Sequence, residues 1–304
     1  MKILLTGGTG FIGRELLKHL ITHDVILLTR SPEMAKRTVN HADLGNVTYI
    51  SHLNDMHDLN DFDAVINLAG EPIADKRWST EQKQVICDSR WRLTEQLVSL
   101  IHASTTPPTT FISGSAVGYY GDQQQHPFDE SLHVHSNGFP HHVCAKWEEI
   151  ANRARSESTR VCILRTGVVL GHDGGALAKM LLPYKLGVGG PIGNGRQYMP
   201  WIHKLDMVRA IVYLLETEHA YGEFNICAPH PVTNRHFSGT LARTLKRPHF
   251  LFTPKWTIKA LMGESSVLLL DSIRAKPKKL TELGFRFSYS RLEPALKNLL
   301  QHHE

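Results

Sequence analysis

The sequence predicts an α/β fold in which a doubly wound parallel sheet is followed by a smaller C-terminal lobe. Short apolar runs alternate with longer stretches of helical period from residue 3 to residue 165. The first apolar run is followed at once by Gly7, Gly10 and Gly13, spaced as GxxGxxG. Past residue 171 this alternation gives way to a chain rich in glycine and proline. These observations place the sheet first and the smaller lobe after it.

The N-terminal stretch predicts a site for a nucleotide pyrophosphate. Residues 3–6 form a short apolar run typical of a buried parallel strand, and residues 14–20 have helical period. Gly7 would permit the tight turn between them, Gly10 would let the backbone approach phosphate groups, and Gly13 would let the helix pack closely on the strand. The free N–H groups and the dipole of the helix would face the anion. The sheet is therefore predicted to be of the Rossmann type.

The end of the second predicted strand, residues 25–28, indicates which dinucleotide binds. In Rossmann sheets an acid near this point binds the ribose hydroxyls of NAD, and a cation accommodates the extra phosphate of NADP. Here Thr29, Arg30 and Ser31 follow the strand, and no acid is present. The guanidinium of Arg30 offers a planar pair of donors suited to phosphate. We therefore predict NADP(H); the alternative is that Arg30 is a solvated loop charge.

The other strands and helices of the first region follow the same alternation. Residues 63–70 form a strand run that ends in small side chains, which would let a cofactor lie over its carboxyl end. The further predicted strands are 47–51, 110–113 and 160–165, and the further predicted helices are 80–102 and 141–155.

The C-terminal region begins where glycine becomes frequent, since residues 171–195 hold eight glycines and two prolines. We predict an NADP-binding Rossmann domain over residues 1–170 and a substrate-side lobe over residues 171–304. The strand near 222–228 is expected to return to the first sheet. The predicted elements of this region are helices at 176–186 and 205–215 and a strand at 224–227.

Composition indicates whether the partner is a nucleic acid, a membrane or a small molecule. The net charge is +5, without a long block of Lys or Arg, which favours a solvated surface over a nucleic-acid groove. No apolar run reaches membrane-spanning length, and the first twenty residues resemble strand, turn and helix more than a signal peptide. We therefore expect a small-molecule substrate, no nucleic-acid or membrane partner, and a cytoplasmic location. Nothing in the sequence sets the oligomeric state.

The cysteines and histidines predict no metal site. The four cysteines stand far apart, and none forms a CxxC pair, which is typical of reduced packing residues in a cytosolic protein. His141 and His142 are adjacent, which is poor geometry for one metal on a helix. The cysteines are Cys87, Cys144, Cys162 and Cys227.

Five stretches carry motifs: GGTGFIG at 7–13, NLAG at 67–70, SGSAVGYYG at 113–121, LRTGVVLG at 164–171 and WIHKLD at 201–206. Together they resemble the extended short-chain dehydrogenases/reductases, the superfamily of sugar-nucleotide epimerases and dehydratases. Within it they look like the epimerase-like branch sometimes named as cell-division inhibitors. The resemblance covers nearly the whole chain and implies a Rossmann-type fold with a nicotinamide cofactor.

The resemblance also implies which residues bind that cofactor. Lys146 would hold the nicotinamide ribose, and the backbone of residues 166–168 would line the nicotinamide. Arg90 would face the cofactor; the alternative is a surface arginine. The implied cofactor-binding residues are Gly7, Thr9, Gly10, Phe11, Ile12, Gly13, Thr29, Arg30, Leu68, Ala69, Gly70, Arg90, Lys146, Thr166, Gly167 and Val168.

For catalysis the resemblance implies a Ser, a Tyr and a Lys, the last two at i and i+4 on one helix. Ser115 matches the Ser and Lys146 matches the Lys, but His142 stands at the Tyr position. An imidazole, with an ordinary pKa of about 6.5, can act as acid or base at neutral pH. We therefore predict these three as the catalytic residues; the alternative is that His142 is a surface histidine. Tyr119 and Tyr120 are the other candidates for the missing phenol.

On the substrate side we predict Tyr119, Arg196 as an anion clamp and Trp201 as a stacking surface. The alternatives are a loop charge for Arg196 and packing for Trp201. The resulting function is an NADP(H)-binding oxidoreductase or epimerase acting on an unidentified small carbonyl or sugar-like substrate. The alternative is a catalytically degenerate NADPH-binding sensor or scaffold protein.

Overall fold

A parallel sheet forms the centre of the chain, which the computed structural model describes over residues 1–38 and 45–301. Every strand pairing in this sheet is parallel, which confirms the predicted α/β class. The strands, numbered along the chain, are β1 (Lys2–Thr6), β2 (Asp24–Leu28), β3 (Val47–Ile50), β4 (Ala64–Asn67), β5 (Thr110–Ala116), β6 (Pro127–Phe128), β7 (Arg160–Thr166), β8 (Val168–Leu170), β9 (Tyr198–Met199), β10 (Trp201–His203), β11 (Gly222–Ile226), β12 (Val232–Thr233) and β13 (Arg274–Ala275).

Within the described chain, seven strands form the sheet in the order β11-β7-β5-β4-β1-β2-β3. The early strands extend from β1 in one direction and the later strands extend from β4 in the other. In open α/β sheets, ligands bind beyond the carboxyl ends of the strands at such a reversal of order. Thr6 and Asn67 end these two strands, and Thr6 Oγ1 donates a hydrogen bond to Asn67 Oδ1 at 2.7 Å. The reversal therefore lies beside the glycine turn.

Helices cover both faces of the sheet, as the predicted doubly wound architecture requires. The first helix ends earlier than the predicted residue 20, because the N–H groups of Lys18 and His19 reach back only three residues. The helices are α1 (Gly13–Leu17), α2 (Pro32–Thr38), α3 (Thr80–Ala103), α4 (Phe139–Asn152), α5 (Gly175–Lys185), α6 (Lys204–Glu216), α7 (Asn234–Thr244), α8 (Lys255–Met262), α9 (Val267–Leu270), α10 (Lys278–Glu282) and α11 (Leu292–Gln301).

Side chains of each central strand alternate between two apolar layers. On one face Leu5 and Ile66 belong to the layer that packs with α1 and α6. On the other face Val65 and Phe111 belong to the layer that packs with α3 and α4. All four side chains are fully buried. Because both faces are covered, the strands appear in the sequence as continuous apolar runs and not as alternating ones.

The chain returns to the sheet late, as predicted for the strand near 222–228. Strand β11 pairs in parallel with β7, with Phe224 opposite Leu164. Between these strands and after them, α5, α7 and α11 enclose a separate apolar cluster that includes Trp201 and Phe237. The predicted boundary near residue 171 falls directly after β8. The smaller lobe is therefore built from an excursion out of the sheet together with the C-terminal segment.

Candidate functional site

The glycine turn after β1 leaves no room for larger side chains. Gly7 has a φ of +72°, and a Cβ there would lie 2.6 Å from the carbonyl carbon of Leu68. A Cβ on Gly13 would lie 2.3 Å from the Gly7 carbonyl oxygen, which shows how closely the helix packs on the turn. Thr9 and Gly10 are exposed at the outer edge of the turn. The turn therefore has the tight bend and the open backbone edge expected of a phosphate site.

Phe11, in the same turn, contacts the smaller lobe. Cβ atoms on Gly171, Gly174 and Gly175 would each lie within 3 Å of its ring. The ammonium of Lys204 lies 5.2 Å from the ring centroid on the same side. Ile12 follows as the half-buried residue directly before α1. Phe11 thus anchors the loop after β8 to the glycine turn, a role that its predicted place beside the cofactor did not include.

The residues after β2 keep a free cation at the sheet edge. Thr29 is half-buried, and its hydroxyl accepts from the N–H of Ser31 at 3.4 Å. Arg30 is exposed, and over residues 1–38 and 45–301 its guanidinium makes no hydrogen bond or ion pair. An arginine that is not neutralised by an internal partner keeps its full attraction for an anionic group.

Arg90 on α3 is half-buried and is not a surface arginine. Its Nη1 donates to the Ile86 carbonyl at 2.9 Å and its Nη2 donates to the Glu71 carbonyl at 3.0 Å. A Cβ on Gly70 would lie 2.9 Å from its guanidinium carbon. Burial lowers the pKa of Arg90. The side chain therefore supports the loop of Leu68, Ala69 and Gly70, and its place facing the cofactor stays a prediction.

A buried chain of polar contacts runs from Ser115 across β7 to β11. Ser115 Oγ donates to Glu148 Oε1 at 2.6 Å, and Arg165 Nη2 donates to Glu148 Oε2 at 2.8 Å. Arg165 Nη1 donates to the Tyr120 hydroxyl at 2.9 Å, which donates to Asn225 Oδ1 at 2.8 Å. The side chains of Arg165 and Glu148 are 3% and 7% exposed. Every member has a partner, as buried polar groups require.

The pKa shifts in this chain follow from burial and from the ion pair. Burial alone would lower the pKa of Arg165, but the hydrogen bonds and charge of Glu148 outweigh it and raise that pKa. Burial raises the pKa of Tyr120, against the opposing effect of Arg165. Tyr120 is fully buried, so it supports the fold and is not placed to act as the missing phenol.

The structure corrects the predicted approach of His142 and Lys146 to Ser115. Both side chains are exposed on α4 and flank Trp91, with ring centroids 5.3 Å apart for His142 and a 5.4 Å ammonium-to-centroid distance for Lys146. Ser115 instead contacts the face of α4 that carries Cys144 and Glu148. Residues two apart are separated by about 200° around a helix, so the two pairs face different ways. The i, i+4 spacing is present, but it belongs to a face turned away from Ser115.

Tyr119 lies beside the polar chain on its outer side. The guanidinium carbon of Arg165 is 3.7 Å from the centroid of its ring, close enough for a cation–π contact. The ring of His141 lies 5.2 Å away, and His141 Nδ1 hydrogen-bonds the Tyr119 carbonyl. Tyr119 is half-buried, and its hydroxyl has no hydrogen-bond partner within the part of the chain that the structure describes. It therefore differs from Tyr120, whose hydroxyl is buried and hydrogen-bonded.

The predicted substrate-side residues separate in the structure. Arg196 is exposed, and its carbonyl accepts from Gln125 Nε2 at 3.1 Å. Trp201 is fully buried in the smaller lobe, where its indole N–H donates to the His230 carbonyl at 3.3 Å. Its predicted role as a stacking surface is therefore wrong, because an indole enclosed by the lobe's own core offers no face to a ligand.

The strand end after β7 is shaped by close backbone packing. A Cβ on Gly167 would lie 2.8 Å from the Pro200 carbonyl oxygen, and the Gly167 N–H donates to the Ile226 carbonyl at 3.0 Å. Thr166 and Val168 on either side are half-buried. This segment therefore lies beside Ser115 at the carboxyl edge, where β5 and β7 pair.

Comparison with known proteins identifies the family. The sequence profile described as the NAD dependent epimerase/dehydratase family matches residues 3–227. The chain belongs to this family. A second profile, a domain of unknown function named DUF1731, matches residues 253–299. The family match confirms the resemblance inferred from the glycine motif.

Relatives of the whole chain carry the same family name. An epimerase family protein of Staphylococcus haemolyticus is 38% identical over 98% of this chain and 99% of its own length. The chloroplastic SDR39U1 homolog of Arabidopsis thaliana is 37% identical over 99% of this chain and 87% of its own length. The crystal structure of human epimerase family protein SDR39U1, isoform 2, with NADPH has a TM-score of 0.90 at 33% identity and covers 99% of both chains. The NADPH in the human protein agrees with the cofactor predicted from Arg30.

The described residues of this epimerase family member show neither a metal-binding cluster nor a membrane-spanning helix. No group of three or more His, Cys, Asp or Glu side chains with metal-binding geometry occurs among residues 1–38 and 45–301. Over the same residues, no helix combines the length and the apolar character needed to cross a membrane.

Sequence reasoning missed Glu148 and Arg165 as site residues. Arg165 directly follows four buried apolar residues of β7, and Glu148 stands between buried positions of α4. Each could have been identified by one signal: it is a charged residue at a position that periodicity predicts to be buried. Such a charge needs a partner. The signal does not say which partner, since the two residues belong to different elements.

Proposed function

We propose that this protein binds NADP(H) along the carboxyl edge of the sheet and acts as an oxidoreductase or epimerase on a small carbonyl or sugar-like substrate. The observation that carries the proposal is the glycine turn after β1 combined with the unpaired Arg30 after β2. The human relative with NADPH supports the same cofactor. A cytoplasmic location belongs to the proposal, since the four buried free cysteines suit a reducing compartment.

The residues along this edge fit the parts of the cofactor. Thr9 and Gly10 expose backbone where a pyrophosphate would lie, and Thr29 and Arg30 would hold the phosphate on the adenosine ribose. The loop before Glu71 and the segment after β7 would border the nicotinamide. When bound, NADPH supplies a hydride; the protein has to supply the position of the substrate and a route for the proton.

Ser115 and Glu148 supply that route in our proposal. The hydroxyl proton of Ser115 is directed at the Glu148 carboxylate, so the lone pairs of the oxygen are left for the substrate. A substrate hydroxyl would donate to Ser115 Oγ while the Ser115 proton passes to the Glu148 carboxylate. For carbonyl reduction, Glu148 would first take up a proton from solvent and return it through Ser115 to the oxygen that hydride addition leaves negatively charged. Arg165 holds the carboxylate in place through two donors. In this arrangement His142 is not required.

The second candidate is a protein that binds NADPH without catalysis and acts as a sensor or scaffold. Two observations favour it: His142 stands where the superfamily has a Tyr, and it is exposed on the side of α4 away from Ser115. Under this alternative Ser115 and Glu148 serve the fold alone.

Fluorescence titration with NADPH and NADH, followed by a screen of carbonyl substrates, tests the proposal. We expect tighter binding of NADPH and turnover of at least one substrate that is lost in Ser115→Ala while NADPH binding is kept. Equal affinity for the two cofactors would contradict the cofactor assignment. Tight NADPH binding without any turnover across the screen would favour the sensor or scaffold.

A further inference from the structure

Large exposed apolar side chains are concentrated on one surface of the smaller lobe. Of thirteen such side chains in the described residues, eight lie in two short segments, 182–188 and 250–261. The most exposed are Phe250 at 77%, Trp256 at 71%, Leu186 and Leu261 at 68% each, and Phe252 at 65%. We call these eight the apolar patch: Leu182, Leu186, Val188, Phe250, Leu251, Phe252, Trp256 and Leu261. Single exposed apolar residues are ordinary, but such a cluster marks an interaction surface.

The two segments are neighbours in space. The N–H of Thr253 donates to the Pro191 carbonyl at 2.9 Å, and the N–H of Gly193 donates to the Thr253 carbonyl at 2.8 Å. A Cβ on Gly187 would lie 3.9 Å from the ring of Pro248. The chain that follows α5 thus runs alongside the chain that precedes α8, and the apolar patch is continuous.

The two stretches of chain that carry the apolar patch are basic, and Asp75, from outside them, is paired with Lys179 on α5. Residues 174–205 and 224–263 contain no Asp or Glu. Helix α8, within the second stretch, has no buried residue. Exposed cations accompany the apolar side chains, and within the described chain none of them is held in an ion pair: Lys185, Lys246, Arg247, Lys255 and Lys259. The occupant of this surface therefore has to be anionic as well as apolar.

We propose that the apolar patch binds the surface of an anionic lipid bilayer. Protruding Trp, Phe and Leu side chains with Lys and Arg around them are the composition of interfacial membrane anchors. The aromatic rings would insert at the headgroup level while the cations meet lipid phosphates. Such binding is peripheral and needs no spanning helix, but it departs from the expectation, based on composition, of no membrane partner.

Charge and shape favour a bilayer over other occupants. A symmetric pair of copies joined through this patch would place the same unpaired cations opposite one another, which opposes association. The most exposed side chains project outward with 65–77% of their surface free, so a partner protein would need matching pockets. A fluid bilayer closes around protruding side chains without preformed pockets.

Vesicle sedimentation of the full chain tests the proposal. We expect binding to vesicles of phosphatidylcholine with phosphatidylglycerol, weak binding to phosphatidylcholine alone, and loss of binding at high salt. Trp256→Ser with Phe252→Ser should abolish binding. Lys255→Gln with Lys259→Gln should weaken it by about five-fold per cation. Ile21→Ser, which changes an exposed apolar residue outside the patch, should bind as the parent does.

Thermal unfolding of each variant checks that the fold is kept. Absence of binding by a folded parent protein, or equal binding to neutral and anionic vesicles, would overturn the proposal. Patch variants that convert a dimer to a monomer on size exclusion, with no effect on vesicles, would overturn it in favour of self-association. Recovery of one acidic protein through the patch, again without vesicle binding, would overturn it in favour of a protein partner.

Discussion

The glycine turn and the Ser115 region occupy the same edge of the sheet but depend on different interactions. In the turn, the decisive contacts join residues close in sequence, such as the Gly13 backbone packed on the Gly7 carbonyl. Around Ser115, the decisive contact is an ion pair between Glu148 on a helix and Arg165 on a strand. The first region can be inferred from spacing alone. The second region cannot, because which face of a helix meets the sheet depends on partners that the spacing does not reveal.

Of the substitutions that test this comparison, removing the buried carboxylate of Glu148 should have the largest effect, a loss of stability. Glu148→Ala leaves the Arg165 guanidinium buried without its partner, and breaking a buried pair costs about 3–5 kcal/mol of the free energy of unfolding. Urea denaturation measures the change. Glu149→Ala is the matched control, because Glu149 is 62% exposed and pairs with Arg153 at the surface. A loss below about 1 kcal/mol for Glu148→Ala, the range of exposed pairs, would contradict the assigned role.

Paired substitutions on the two sides of α4 sharpen the comparison once a substrate is found. Ser115→Ala should lower kcat about 10²–10⁴-fold, the effect of losing a proton-transfer group. His142→Phe should change kcat less than about two-fold, because the His142 ring packs on Trp91 away from Ser115. Steady-state kinetics with NADPH measures both. A large loss in His142→Phe with Ser115→Ala unaffected would reverse the comparison and restore the histidine role inferred from the sequence.

Arg30→Ala tests the predicted cofactor preference, which belongs to the glycine-turn side of the comparison. Loss of a charge-assisted phosphate contact should weaken NADPH binding by about 1.5–3 kcal/mol, roughly ten- to hundred-fold, with little change for NADH. Fluorescence titration of both cofactors measures the preference. Arg92→Ala is a control, since Arg92 is an exposed arginine on α3 whose side chain is 74% exposed. If Arg30→Ala keeps the preference for NADPH, the residues after β2 do not select the cofactor.

A smaller effect is expected in the C-terminal segment, where burial and then the nearby Asp122 raise the pKa of Asp271 to about 6. A carboxyl whose folded pKa exceeds its unfolded value favours folding while it is protonated. Stability should therefore fall as the pH rises from about 4 to about 6. Asp271→Asn should remove this dependence and add about 1 kcal/mol at pH 7. Urea denaturation at pH 4 and pH 7 measures it; equal gains at both pH values would contradict the assignment.

Much of the fold follows from the sequence because its causes are local. The strands β1, β4, β5 and β7 are buried on both faces and appear as apolar runs. The GxxGxxG spacing suits a turn that joins a strand to a closely packed helix. Arg30 indicates a phosphate partner because it stands at a strand end whose function depends on chain order. These features require only the positions of residues relative to their neighbours.

Tertiary structure decided the features that depend on distant partners. The sequence by itself determined that His142 and Lys146 share a helix face, but the tertiary contacts of α4, its buried apolar residues together with the Glu148–Arg165 ion pair, turned another face toward Ser115. The Trp201 ring could stack on a ligand or pack in a core. The helices of the smaller lobe enclose it, so it packs in that lobe's apolar cluster. The physical reason is the same in each case: periodicity specifies which side chains lie together on an element, whereas the direction of that face is set by contacts between elements far apart in the chain.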